Sequence, residues 1–286
     1  KNLHNSYGLE EMRQFLSTSE IVDELTLKKS LRKLRQQVLA RMITRDLNGL
    51  ADLNEVMQTT TQLAEVAIQT AVSCHQEWLE SLFGKPLGVD NNPQQFIVIG
   101  MGKLGGGELN VSSDVDLIFA YEQDGETSGP NSISNQEFFN KLGKKVIATL
   151  DELNEDGFVF RVDMRLRPFG SEGVLASSLD AMEDYYQNNG REWERYAWIK
   201  GRVVIGSQGG ITQLLKPFVF RKYLDFGAFA SMRDLKIQIQ RDVVKKGLED
   251  NIKLGRGGIR EIEFIAQVFQ LIRGGQDASL QVRPTL

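Results

Sequence analysis

The sequence predicts an α+β fold, a small mixed sheet flanked by largely helical N- and C-terminal regions. Three observations carry this. Apolar residues recur at helical spacing up to Phe83. The pattern then changes to short apolar runs and alternation between Phe96 and Arg167, and helical spacing returns from Ser178 onward. At 286 residues the chain exceeds the usual single-domain size, so one core with helical additions or two domains in close contact is expected.

From Leu25 to Leu47 the positions Leu27, Leu31, Leu34, Val38 and Met42 trace one face of an amphipathic helix. Lys28, Lys29, Arg32, Lys33 and Arg35 lie off that face, and a solvated basic surface is their simplest reading. A second long helical pattern runs from Leu53 to Phe83 and contains Cys74 and His75, read as ordinary helix residues because nothing orients a third partner for them. Gly84-Lys85-Pro86-Leu87-Gly88 and then Asp90-Asn91-Asn92-Pro93 are the strongest punctuation in the chain. A boundary there divides the chain into 1–87, a central region 88–205, and 206–286.

In the central region Phe96-Ile97-Val98-Ile99 reads as a short buried strand ending at Gly100, and Val115 to Tyr121 as a second. The polar stretch from Gln123 to Asn135 reads as a loop. Phe138, Phe139, Leu142, Val146, Ile147 and Leu150 mark a helix, and Phe158 to Arg167 alternates as a third strand. Beyond it, Tyr185, Trp193, Tyr196 and Trp198, then Phe229 to Lys246 and Ile259 to Ile272, return to helical spacing. No internal repeat interrupts this order.

Composition narrows the function. Hydrophobic residues make up 41% and charged residues 25%, the mixture of a soluble globular protein. The 34 basic residues against 38 acidic ones give a net charge of -4, which disfavours a nucleic-acid substrate. A single cysteine and two histidines exclude an intrachain disulfide and a familiar zinc site, so any metal must be held by carboxylates. No run approaches the roughly 20 apolar residues needed to cross a bilayer, so no membrane role and a cytoplasmic location are expected. Lys1 is not an initiating methionine, and the chain is expected to be part of something longer.

The chemistry concentrates between the first two strands. Gly102, Lys103, Gly105 and Gly106 open a glycine-rich turn where the backbone can approach a phosphate closely, and Lys103, Ser112 and Ser113 add donors. In an extended strand Asp114 and Asp116 project from one face while Val115, Leu117 and Phe119 enter the core. Two carboxylates that close repel unless a cation neutralises them, and an all-oxygen set suits Mg²⁺ or Mn²⁺. On the third strand Arg161, Asp163, Arg165 and Arg167 share the polar face. If Asp163 joins the pair, two cations can be bridged, and Arg165 and Arg167 can hold phosphate oxygens.

Gly102-Lys103, ten residues, then Asp114-x-Asp116 resembles the nucleotidyltransferase superfamily that includes polymerase β, in which the first pair is usually Gly-Ser. The fuller strings GMGKLGGGELNVSSDVDLIF (Gly100 to Phe119), DGFVFRVDMRLRPFG (Asp156 to Gly170), GREWERYAWIKGR (Gly190 to Arg202) and NIKLGRGGIREIEFIAQVFQLIRGG (Asn251 to Gly275) resemble the bifunctional glutamine synthetase adenylyltransferase/adenylyl-removing enzymes, and their N-terminal, adenylyl-removing half more than the adenylylating one. The resemblance covers most of the chain from Phe96 onward. It implies phosphorolysis: orthophosphate attacks the AMP phosphorus of an adenylylated tyrosine on glutamine synthetase, and ADP leaves. Asp114, Asp116 and Asp163 map onto that family's metal-binding acids, and a PII signal-transduction protein is the implied regulatory partner of the whole enzyme.

Three rival readings stand beside it: adenylyl addition from ATP, a non-catalytic nucleotide- or signal-binding module, and primer extension, which an acidic chain does not advertise. Weaker candidates are also present. Trp193, Tyr196 and Trp198 fall at helical spacing and fit a helical core better than an adenine platform. Lys200 and Arg202 could reach a phosphate or lie on plain surface, and the turn from Gly255 to Glu263, with Arg260 and Glu261, could be a phosphate site or a capped packing helix.

Overall fold

A computed structural model describes residues 3–222, 226–248 and 250–284. It divides into two compact units, Lys1–Met182 with Arg202–Ser207, and Glu183–Gly201 with Gln208–Leu286. The expected boundary at residue 88 therefore falls inside the first unit, because the long N-terminal helices and the sheet share one hydrophobic core.

In the first unit α1 (Leu9–Ser17), α2 (Glu24–Leu47) and α3 (Leu53–Phe83) come first. Asp23 starts α2 by accepting from the Thr26 amide while the Thr26 hydroxyl reaches back, a reciprocal capping box. Asp52 caps α3, and Gly84 at φ 81° ends it where a side chain would be strained. Leu27, Leu31, Leu34 and Val38 are fully buried, each contributing about 1.5–3 kcal/mol of transfer free energy.

The basic residues of α2 depart from the solvated reading. Arg32 is buried and donates to the carbonyl oxygens of Gly157 (2.8 Å) and Glu152 (2.5 Å). Lys28 pairs with Glu24 and Glu152, and Arg35 lies over the Phe158 ring. Only Lys29 and Lys33 are fully exposed. The helix thereby holds the segment that leads into the third strand.

The sheet has five strands, β1 (Phe96–Gly100), β2 (Val115–Tyr121), β3 (Val162–Asp163), β4 (Ala176–Ser178) and β5 (Arg202–Ile205), in the order β3-β2-β1-β5 with β4 also on β2. β1 is antiparallel to β2 and β5, whereas β3 and β4 run parallel to β2, so the sheet is mixed as expected. A one-turn helix α4 (Gly102–Gly106) links β1 to β2, and α5 (Asn135–Asp151), capped by Ser134, covers the sheet. Phe96, Phe119, Tyr121 and Phe139 stack in the core between them.

The third strand is shorter than the alternation predicts. The amides of Val159 and Phe160 bond to the Leu150 carbonyl at the end of α5 rather than to a strand. After Asp163 the Arg165 amide turns onto the Asp163 carboxylate, and Arg167 donates to the carbonyls of Met164, Ser171 and Gly173. Backbone bonds to the end of α5 before the two paired residues, and side-chain bonds after them, thus replace the ladder.

The second unit holds α7 (Glu192–Trp198), α8 (Gln208–Val219), α9 (Phe226–Lys245) and α10 (Ile259–Arg273); the sequence boundary of the units falls within α6 (Leu179–Asn188). Trp198 is buried and its indole N–H donates to the Tyr186 hydroxyl, so these aromatics are core. Among the described residues no helix is long and apolar enough to cross a membrane.

Candidate functional site: three acids around a glycine turn

The turn after β1 is built so that backbone meets carboxylate. Met101 donates its amide to the Asp116 carbonyl at 2.9 Å, fixing the turn to β2. Gly102 then takes φ 51°, and a Cβ placed on it would stand 2.9 Å from Asp116 Oδ2. Only glycine lets the chain pass this close to that carboxylate in this conformation. The first turn of α4 follows, and its partial positive charge suits an adjacent anion.

The expected phosphate loop is therefore a helical turn rather than an open one. Gly105 and Gly106 are buried, and the Leu104 and Gly105 carbonyls accept from Arg202, which also pairs with Glu65 of α3. Arg202 thus secures the turn from behind. Ser112 and Ser113 both donate their hydroxyls to Asn110 Oδ1, shaping the bend that leads into Asp114.

β2 and β3 bring two of the acids, Asp116 and Asp163, together. Their parallel register sets Val115 opposite Val162 and Asp116 opposite Asp163. Asp114 lies one residue before β2 and is exposed, whereas Asp116 and Asp163 are half-buried. Two arginines engage the outer pair. Arg161 donates to Asp114 Oδ1 at 2.5 Å and to the Ser112 carbonyl at 2.9 Å. Arg165 donates through Nε to both Asp163 oxygens, at 3.0 and 2.8 Å.

The electrostatics follow this geometry. Hydrogen bonds from Arg165 hold the Asp163 carboxyl below its ordinary pKa against the opposing effect of burial. The Arg165 pKa is raised, by Asp163 first and at longer range by Asp116 and Asp114. One guanidinium therefore lies in the field of all three acids. Arg167 differs, since its donors are spent on the Met164, Ser171 and Gly173 carbonyls of its own loop.

The donor set, being all carboxylate, suits a hard divalent cation in chemistry. In the conformation present no three His, Cys, Asp or Glu side chains converge as a cation group among the described residues. In this conformation Asp114 is paired with Arg161 and Asp163 with Arg165.

The weaker candidates find structural partners. Lys200 pairs with Glu263 at 3.1 Å, and Glu261 accepts the Gly257 amide and pairs with Lys236, capping α10. Sequence reasoning missed Arg161 as an acid partner and Arg202 as the brace of α4. The polar face of Phe158 to Arg167 signalled the first; nothing local signalled the second.

The glutamate-ammonia ligase adenylyltransferase family model matches residues 4–216, and a PII-uridylyltransferase model matches residues 232–283. Proteins named bifunctional glutamine synthetase adenylyltransferase/adenylyl-removing enzyme are similar along the chain. Those of Chromobacterium violaceum and Nitrosomonas eutropha are 54% and 56% identical over all of it, and that of Aromatoleum aromaticum is 55% identical over 97%. The chain spans 32% of the length of the first two and 30% of the third.

Proposed function

The chain belongs to the glutamate-ammonia ligase adenylyltransferase family, and from that premise we propose that it removes AMP from an adenylylated tyrosine of glutamine synthetase by phosphorolysis. The observation that carries the reading is the pairing of Asp116 with Asp163 across β2 and β3, beside a glycine turn that admits no side chain.

Asp114, Asp116 and Asp163 would hold Mg²⁺ or Mn²⁺, two ions in the fullest arrangement. Such ions supply charge neutralisation at phosphoryl oxygens and polarise the phosphorus. Arg165 clamps phosphate oxygens through its planar fork, and Lys103 adds a cation at the turn. An orthophosphate oxygen forms a new bond to the AMP phosphorus while the bond from phosphorus to the tyrosine oxygen breaks. ADP leaves, and the phenolate takes a proton from solvent. Orthophosphate brings its own nucleophilic oxygen and the phenolate is a fair leaving group, so positioning and charge suffice without a histidine base.

The names of the relatives carry both directions of the chemistry, so adenylyl addition from ATP is the second reading. The strings RVDMRLRPFG (Arg161 to Gly170) and REWERYAWIK (Arg191 to Lys200) resemble the removing half and favour phosphorolysis. The PII-uridylyltransferase match at residues 232–283 supports PII as a regulatory partner of the whole enzyme.

Product analysis tests the reaction. With adenylylated glutamine synthetase and Mg²⁺, ADP should form only when orthophosphate is supplied. Pyrophosphate released from ATP with unmodified synthetase, and no ADP, would reverse the direction.

A further inference from the structure

We propose that Arg161 and Arg165 are exchangeable counter-ions of the acidic site. They hold Asp114 and Asp163 until a divalent cation takes those carboxylates, and the freed guanidiniums then bind phosphate oxygens, so that cation and phosphate bind with positive coupling. This rests on the reading of the three acids as cation ligands and adds to it how the site opens.

The geometry supplies the reasons. Each outer acid is engaged by one arginine, Asp114 by Arg161 and Asp163 by Arg165, and these pairs coincide with the lack of a converged three-acid group among the described residues. The two pairs differ in exposure. The Arg165 side chain is 83% exposed over an Asp163 side chain that is 18% exposed, and Arg161 and Asp114 are 55% and 50% exposed. The Arg161 pair, exposed on both sides, is of the weak surface kind; Arg165 holds Asp163 through both carboxylate oxygens, and a divalent ion shared between the carboxylates has to replace those bonds.

The neighbouring arginines show the contrast. Arg167 is tied to three backbone carbonyls, which a cation on the acids would not displace. Arg35 lies 4.9 Å from the Phe158 centroid with its Nε buried and unpartnered, so it adds charge near Arg161 without occupying a carboxylate. Once Asp114 and Asp163 are taken, Arg161 and Arg165 carry forks with freed N–H donors, Arg161 keeping its bond to the Ser112 carbonyl. A phosphate dianion matches two such forks bidentately. By linkage each ligand must then favour the other.

The test is Mn²⁺ binding to the chain, followed by electron paramagnetic resonance with and without inorganic phosphate. The variants are Arg161→Gln, Arg165→Gln and, as a charge control, Arg35→Gln, with circular dichroism melts confirming folding. Without phosphate, Arg161→Gln and Arg165→Gln should each bind Mn²⁺ at least about threefold tighter than the parent. Phosphate should tighten the parent by about fivefold or more, and both variants should lose most of that gain. Arg165→Lys should recover only part of it, since a point charge lacks the fork. Equal tightening in Arg35→Gln, no tightening in the site variants, or a phosphate gain that survives in them would overturn the exchange. Absence of Mn²⁺ binding to the parent under both conditions would instead remove the cation reading of the acids, and the exchange with it.

Discussion

Asp116 and Asp163 are separated by a whole helix in sequence, yet they stand opposite each other in the parallel pairing of β2 with β3. Parallel strands need a crossover, and α5 supplies it, so the two carboxylates meet only when α5 is packed on the sheet. The site is therefore a product of tertiary structure, and substitutions that loosen its supports should be felt at the acids.

Gly102→Ala places a methyl group where 2.9 Å separates an ideal Cβ from Asp116 Oδ2, at a φ of 51°. The backbone strain should cost about 1 kcal/mol of stability, measurable by urea unfolding. Displacement of the Asp116 carboxylate should cost far more in activity, with kcat falling about a hundredfold. A variant with parental kcat would show that the turn does not position the acid.

Arg32→Met removes a buried fork that donates to the Glu152 and Gly157 carbonyls. Leaving both without that donor should destabilise the chain by about 2–3 kcal/mol in urea denaturation. Lys29→Met, exposed on the same helix, should stay within about 0.5 kcal/mol of the parent.

The buried His75 accepts or donates a 2.7 Å bond with Thr149 Oγ1, and burial above all pushes its pKa down to about 4. The fold therefore keeps the ring neutral while the unfolded chain protonates it below its ordinary value of 6.5. Its contribution is complete above pH 6.5 and is lost as pH falls toward 4, by at most about 3 kcal/mol. Urea midpoints measured across that window should fall in the parent and flatten in His75→Gln. An equally steep fall in both would assign the acid sensitivity elsewhere.

Much of this was legible in the sequence. The span of β2 matched its expectation residue for residue, and α2 and α3 nearly so, because apolar periodicity and the Asp23 and Asp52 caps coincide at their ends. Alternation overstated the third strand, since the bonds of Arg165 and Arg167 to nearby backbone and carboxylate compete with strand pairing and leave no local signature. β4 and β5 went unread because three or four residues carry too little pattern, and because β5 is held by β1, which lies far from it in sequence. The acids were visible as residue types on alternating positions. Their guanidinium partners depend on rotamers that no spacing specifies.

The most direct measurement is ADP release from adenylylated glutamine synthetase in Mg²⁺, with and without orthophosphate, for the parent and for Asp116→Asn, with a thermal melt of each. The account predicts phosphate-dependent ADP from the parent, and its loss by at least about a thousandfold in Asp116→Asn while the melt is unchanged. Undiminished ADP from a folded Asp116→Asn chain would contradict it.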